Sequence, residues 1–381
     1  MNMADLDAGS VSTCHQTRNG LQPFDKTGAT PPAPARSCIV RPMDSRAVLA
    51  LLLISGGCSS SSPSRPAATA GDEDLRFEDE RAEADALPAS PEVVSAEALI
   101  ADGRPREARI ALTRIVLERP DDLRAWLDLG LAHEMLDELA EAEAAYRSSI
   151  EHGAGTTPQS AELLNNLGAL LRDTDRLEEG LAMLRQAVAL RPGFASAQLN
   201  LGLALEDAGD DVGAMEAYRR VIEIAESEPT SRINLGLLLL RQGQTAQALV
   251  ELRRALPLAE ERADLAALGS GLRRAGDPSM AIRALSAAID AEEAPAPPGL
   301  RAELALAHFA AEHRDEAESM LRALIASEPD FATAHYLLAN ALAAREAWRQ
   351  AAGEYEAFLR ADPRAPEAAE ARRRLEFVRS R

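Results

Sequence analysis

Asn-Leu-Gly ends at Gly168, Gly202 and Gly236, three copies in steps of 34 residues. A fixed period of this length means stacked supersecondary units rather than one folded core, so the 381 residues are not two or three ordinary domains. Trp126-Leu127-Asp128-Leu129-Gly130 and Leu268-Gly269 extend the series, and the steps between its glycines are 38, 34, 34 and 33 residues. Twelve residues after each glycine stands a small residue: Ala142, Gly180, Ala214, Ala248 or Ala281. Four further on comes a large one: Tyr146, Leu184, Tyr218, Leu252 or Leu285. Apolar residues recur at three- and four-residue spacing, which predicts two short amphipathic helices per unit. Breakers such as Asp207-Ala208-Gly209-Asp210 and Arg241-Gln242-Gly243-Gln244 separate them. Proline closes units at Pro120, Pro192, Pro329 and Pro363. The physical logic is a small-large interface: small residues let two antiparallel helices approach, and the large ones fill the gap to the next unit. That interface accounts for a chain that is 46% hydrophobic yet only 3% aromatic.

This pattern resembles the tetratricopeptide repeat (TPR), whose signature is W-x2-L-G-x2-Y, A-x3-F and a terminal proline. The resemblance implies an all-α, right-handed superhelical solenoid of about eight helix-turn-helix repeats. The units start near 89, 123, 161, 195, 229, 262, 298 and 332, filling 89–365, and the first, seventh and eighth carry Ala96, Ala305 and Ala339 in place of the glycine. Loops are expected around Thr157–Ser160 and in the proline-rich stretch Ala294–Pro298. Residues 366–381, with Arg372-Arg373-Arg374, are expected to form a capping helix.

In this family the first helices line a concave surface that binds peptide or protein segments, at the fifth, sixth, ninth and twelfth places of each unit. The sixth place holds Asn166, Asn200 and Asn234 in three consecutive units. From Met43 onward the only asparagines are 165, 166, 200, 234 and 340. Each amide offers a donor and an acceptor, so a ladder of them could pair with the backbone of an extended peptide whatever its side chains. Leu199, Leu203, Ile233 and Leu237 could supply pockets, and Arg172, Arg241, Arg273 and Arg274 could capture acidic groups. The competing reading of these residues is family pattern for the asparagines and helix packing for the apolar ones.

The N-terminal region carries a different signal. Ala47–Ile54 is a run of eight apolar residues, preceded by Arg46 and followed by Ser55-Gly56-Gly57-Cys58. It is too short to span a bilayer, and it resembles a bacterial lipoprotein signal peptide with Cys58 as the acylated residue. Ser55 departs from the pattern, standing where leucine is usual. On this reading 1–42 is an untranslated or disordered leader, 43–57 the signal peptide, and 58–88 a flexible Ser/Pro/acidic tether reaching roughly 30 Å. Lipid anchoring in the cell envelope is expected, in the outer membrane facing the periplasm; the alternative is a cytoplasmic protein whose signal is not used.

Charge and composition set the exclusions. With 61 acidic against 41 basic residues and a net charge of −20, the chain is a poor match for nucleic acid. Its 3 cysteines cannot build a disulfide framework. No catalytic constellation, metal site or cofactor motif is expected. His133 and His308 fall at packing places, His308 and His313 are five residues apart on a helix, and His335 replaces the fourth-place Trp. Acidic pairs such as Glu178-Glu179 read as solvated surface. The expected function is a non-enzymatic scaffold that helps assemble or regulate an envelope complex of pilus or motility type. Exopolysaccharide export and a peptidoglycan-enzyme adaptor are alternatives, as is a cytosolic adaptor. Its partners would be protein or peptide segments, and the membrane through the lipid; the oligomeric state stays open.

Overall fold

The computed structural model describes residues 90–152, 157–291 and 295–381. The expected leader, signal peptide and tether (1–42, 43–57 and 58–88, Cys58 included) lie outside the described residues, as does Ala294. The described residues are all-α, with no strand among them, and they fall into two compact units, 90–238 and 239–381.

The first unit contains α1 (Pro91–Ala101), α2 (Pro105–Glu118), α3 (Leu123–Glu134), α4 (Leu139–Glu151), α5 (Ala161–Asp173), α6 (Leu177–Leu190), α7 (Ala195–Asp207) and α8 (Asp211–Ile224). Pro158–Ser160, expected as loop, closes into one 3-10 turn ahead of α5. The division falls inside α9 (Pro229–Arg241). The second unit continues with α10 (Thr245–Ala255), α11 (Arg262–Arg274), α12 (Pro278–Asp290), α13 (Pro298–Ala310), α14 (Arg314–Ser327), α15 (Ala332–Ala344), α16 (Trp348–Ala361) and α17 (Ala368–Arg379). Eight successive helix pairs and one closing helix match the repeat count read from the period. Within the first unit α1 packs on α2, α3 on α4, α5 on α6 and α7 on α8, and the first helices α1 and α3, then α5 and α7, also touch. Within the second unit α11 packs on α12, α13 on α14, and α15 on α16.

Helices this short need help at their ends, because the first N–H groups have no partner inside the helix. Asp122, Asp210 and Asp277 each accept from the backbone N–H three residues on, at 3.1, 3.0 and 3.2 Å. Every first helix ends in a left-handed residue: Gly103, Asp137, Asp175, Gly209, Gly243, Gly276, Glu312 and Glu346. That conformation reverses the chain within a few residues and sends the second helix back along the first.

The small-large interface is present in atomic detail. A Cβ on Gly202 would lie 2.6 Å from Cε1 of Tyr218, and one on Gly168 would lie 2.7 Å from Cγ of Leu184. Gly130 meets Tyr146, and Gly269 meets Leu285, in the same way. Tyr146, Tyr218, Leu184 and Leu285 are all fully buried. In the eighth repeat Ala339 replaces the glycine, and the Tyr355 hydroxyl goes to Asn340 instead of a carboxylate at the end of the first helix. The closing helix α17 buries Ala368, Ala371, Leu375 and Val378 and packs on α16. Its Arg374 reaches back to Asn340 Oδ1 at 2.9 Å.

Candidate peptide-binding face

The first helices of residues 90–238 share one polar face, and its side chains are linked from helix to helix. Asn200 on α7 donates through Nδ2 to Asn165 Oδ1 on α5 at 2.9 Å. Asn165 in turn donates through Nδ2 to Asn166 Oδ1 at 3.1 Å. Asn166 Nδ2 is buried without a close hydrogen bond and faces the Tyr146 hydroxyl. The three amides therefore form a directional rung that ends at the buried Asn166 donor facing Tyr146. Asn165 is the residue that sequence reasoning passed over. It is 2% exposed, at a place where neighbouring repeats hold Leu127, Leu199 and Ile233. A buried amide at a leucine position costs free energy unless it is hydrogen-bonded, and here it is bonded into the rung. The signal in the sequence is that substitution at the fifth place. Asn234 on α9 is half-buried and makes no side-chain hydrogen bond among the described residues.

The apolar residues divide. Ile233 is 1% exposed and Leu199 is 8% exposed, so both are packed between helices and offer no open pocket. Leu203 and Leu237 remain half-buried and can still meet a ligand. Of the four arginines, Arg172 and Arg273 are engaged by carboxylates of the chain itself. Arg172 was expected to capture acidic groups, yet its Nη2 lies 3.0 Å from Asp173 Oδ1 and its Nε 3.5 Å from Asp207 Oδ2. The chain's own carboxylates occupy it, because α5 and α7 bring Asp207 within reach across the face. In the second unit, Arg273 pairs with Glu303 Oε2 at 3.3 Å, while Arg241 and Arg274 are exposed.

A second polar cluster sits at the start of this face. Arg124 Nε on α3 bonds Glu97 Oε1 on α1 at 2.7 Å, lies 3.5 Å from Asp128 Oδ1, and its Nη1 approaches Glu162 Oε2 on α5 at 3.4 Å. Arg191 also reaches Glu162, and it lies 3.8 Å above the Phe194 ring. Asp128 occupies the sixth place, as the three asparagines do, and is 2% exposed. Burial pushes its carboxyl well above the usual carboxylate range, against the opposing pull of Arg124.

The large tyrosines bring their hydroxyls up to this layer. Tyr146 donates to Glu134 Oε1 at 2.5 Å and Tyr218 to Glu206 Oε2 at 2.7 Å. Burial pushes the Glu134 carboxyl up to about 7, partly offset by the Tyr146 hydrogen bond and aided by nearby Asp173. Because the folded value exceeds the unfolded one, the folded chain holds the extra proton between pH 4.5 and 7. Stability from this group is therefore present at low pH and falls as pH rises through about 7. At about 1.4 kcal/mol per pH unit, discounted because the residue is only half-buried, the fall is about 1–2 kcal/mol. Glu134→Gln is expected to remove it, flattening the melting temperature between pH 5 and 8; an unchanged pH slope in the variant would refute this assignment.

The second unit carries less. His308 and His313 lie with ring centroids 5.6 Å apart, and His335 Nδ1 is 2.6 Å from Glu354 Oε2. Among the described residues no group of three or more metal-ligating side chains occurs, and no helix is long and apolar enough to cross a membrane. A pocket of about 230 Å³ lies between α13, α14 and α15. Its Glu318 is held by Arg322 and Arg345.

A tetratricopeptide repeat family model matches residues 94–161, 165–229 and 302–366, together more than half of the chain. No curated protein sequence matches it. Among solved structures, the APC/C hetero-tetramer Cut9-Hcn1 is similar at 16% identity and a TM-score of 0.52, over 81% of this chain and 60% of that one. PilW, described as a widely conserved type IV pilus biogenesis factor, is 19% identical with a TM-score of 0.47, over 53% of this chain and 94% of its own. PilF from Pseudomonas aeruginosa is 19% identical with a TM-score of 0.46, over 56% and 93%. Identities this low speak to fold and not to function.

Proposed function

Because the chain belongs to the tetratricopeptide repeat family, we propose that it is a non-enzymatic scaffold holding an extended segment of a protein partner on the first-helix face of residues 90–238. The family's repeats generally serve as non-catalytic protein-interaction scaffolds. The observation that carries the reading is the amide rung. Asn165 and Asn166, both buried, and half-buried Asn200 are linked across one face, where neighbouring repeats hold leucine or isoleucine at the place of Asn165. Half-buried Asn200 and Asn234 are the amides within reach of a peptide backbone, each offering a donor and an acceptor. Half-buried Leu203 and Leu237 beside them supply apolar contact. The test is fluorescence polarisation of labelled unstructured peptides with the whole chain and with an Asn166→Ala/Asn200→Ala/Asn234→Ala variant. Loss of binding is expected; equal binding by the variant removes the amides from the mechanism.

The scaffold would be tethered at the cell envelope through acylated Cys58, with the partner part of an envelope assembly of pilus or motility type. Support for the anchor comes from the order of Arg46, the apolar run, Gly56-Gly57 and Cys58 in the sequence. Labelled palmitate is expected to enter the wild-type chain and not Cys58→Ala. An unlabelled wild type overturns the anchor while leaving the scaffold untouched.

A further inference from the structure

Where α5 and α7 end, the first-helix face covers its positive group and leaves two negative groups open. The Arg172 side chain is only 6% exposed, whereas Asp173 and Asp207, the carboxylates it pairs with, are each 59% exposed. One guanidinium thus lies beneath two carboxylates, and its Nη1 is buried without a hydrogen-bond partner. At the start of the same face Asp128 is buried beside Arg124, which it shares with Glu97 and Glu162. Asp128 and Asn166, both nine-tenths buried or more, occupy the same place in consecutive repeats, so the polar groups at this place are covered while Asp173 and Asp207 stand open.

An incoming acidic side chain would find every arginine of this face engaged and would meet the open carboxylates first. An incoming ammonium or guanidinium would meet acceptors that share one covered charge between them. Opposed charge also steers encounter and selects among partners. We propose that the segment held on this face is basic: its Lys or Arg side chains pair with Asp173 and Asp207 while its backbone lies along the Asn165, Asn166 and Asn200 rung. This rests on the reading of the first-helix face as the peptide-binding face.

The experiment uses the whole chain and three fluorescein-labelled dodecapeptides of Gly, Ser and Ala, in which four spaced positions are all Arg, all Gln or all Glu. The Arg peptide is expected to bind about tenfold more tightly than the Gln peptide in low salt, with the gap closing as salt is raised. Asp173→Asn/Asp207→Asn should abolish the gap, and Asp173→Glu/Asp207→Glu should keep it. Glu178→Gln/Glu216→Gln, which removes the same charge from exposed second-helix positions, should leave it intact and so separate the face from the chain's overall charge. Circular dichroism confirms that each variant is folded. The proposal is overturned if the Gln or Glu peptide binds as tightly as the Arg peptide, or if the second-helix variant loses the gap equally. When the Gln peptide binds best and its binding depends on the asparagines, the basic partner is wrong and the peptide-binding face stands. If none of the three binds, both are wrong.

Discussion

With Gly202 replaced by valine, the fourth repeat should lose about 3–5 kcal/mol of stability, since the change combines overpacking with expulsion of a buried ring. The added Cβ would stand 2.6 Å from Cε1 of Tyr218, a residue with no exposed surface. A β-branched side chain in a helix has one favoured rotamer and cannot turn aside, so the ring must leave its site. The Tyr218 hydrogen bond to Glu206 would go with it. Hydrogen exchange in α7 and α8 checks this, because repeat arrays couple mainly to nearest neighbours and the opening should be local. Tyr218→Ala in the same chain should recover more than about 1 kcal/mol relative to the sum of the two single changes, the mark of direct contact. Valine tolerated at 202 with unaltered exchange would mean that the small-large interface is not what spaces these helices.

The second large effect is on binding. Removing the amides of Asn166, Asn200 and Asn234 should weaken peptide capture by about 100-fold, taking roughly 1 kcal/mol for each hydrogen bond lost. The amide rung complicates the experiment in an informative way. Asn165, 2% exposed, exchanges hydrogen bonds with both Asn166 and Asn200, so the triple change strands it. A buried amide left unsatisfied costs about 1–3 kcal/mol. Adding Asn165→Leu restores the residue type that Leu127 and Leu199 hold at the same place, and it should return most of that stability. Binding should stay lost. A quadruple variant that is stable and still captures peptide at parental affinity would show that the rung serves packing alone.

Much of the architecture could be read along the chain. Gly130, Gly168, Gly202 and Gly269 each face the large residue sixteen positions later, and a relation that short repeats visibly. The eight pairs, their turns and the all-α class follow from it. The candidate face was legible only in part. Asn166, Asn200 and Asn234 stood out by period, but Asn165 did not, because its meaning comes from being polar where Leu127, Leu199 and Ile233 are apolar and buried. Asp128 was hidden likewise: it shares the sixth place with the asparagines, yet only its burial, with Glu97 beside it, raises its affinity for a proton against the pull of Arg124.

Helix pairing is dictated by residue sizes within one repeat, through steric fit that any neighbouring copy reproduces, and so the period was enough to specify it. The fate of the polar groups depended on three dimensions. Arg172 could have faced a ligand or the chain itself, and the approach of α5 to α7 gave it Asp207. Ile233 could have lined a pocket, and packing buried it to 1% exposure. Hydrogen bonds and ion pairs are short-ranged and directional, so partners 35 residues apart, as Asn165 and Asn200 are, meet only once the helices have set their spacing.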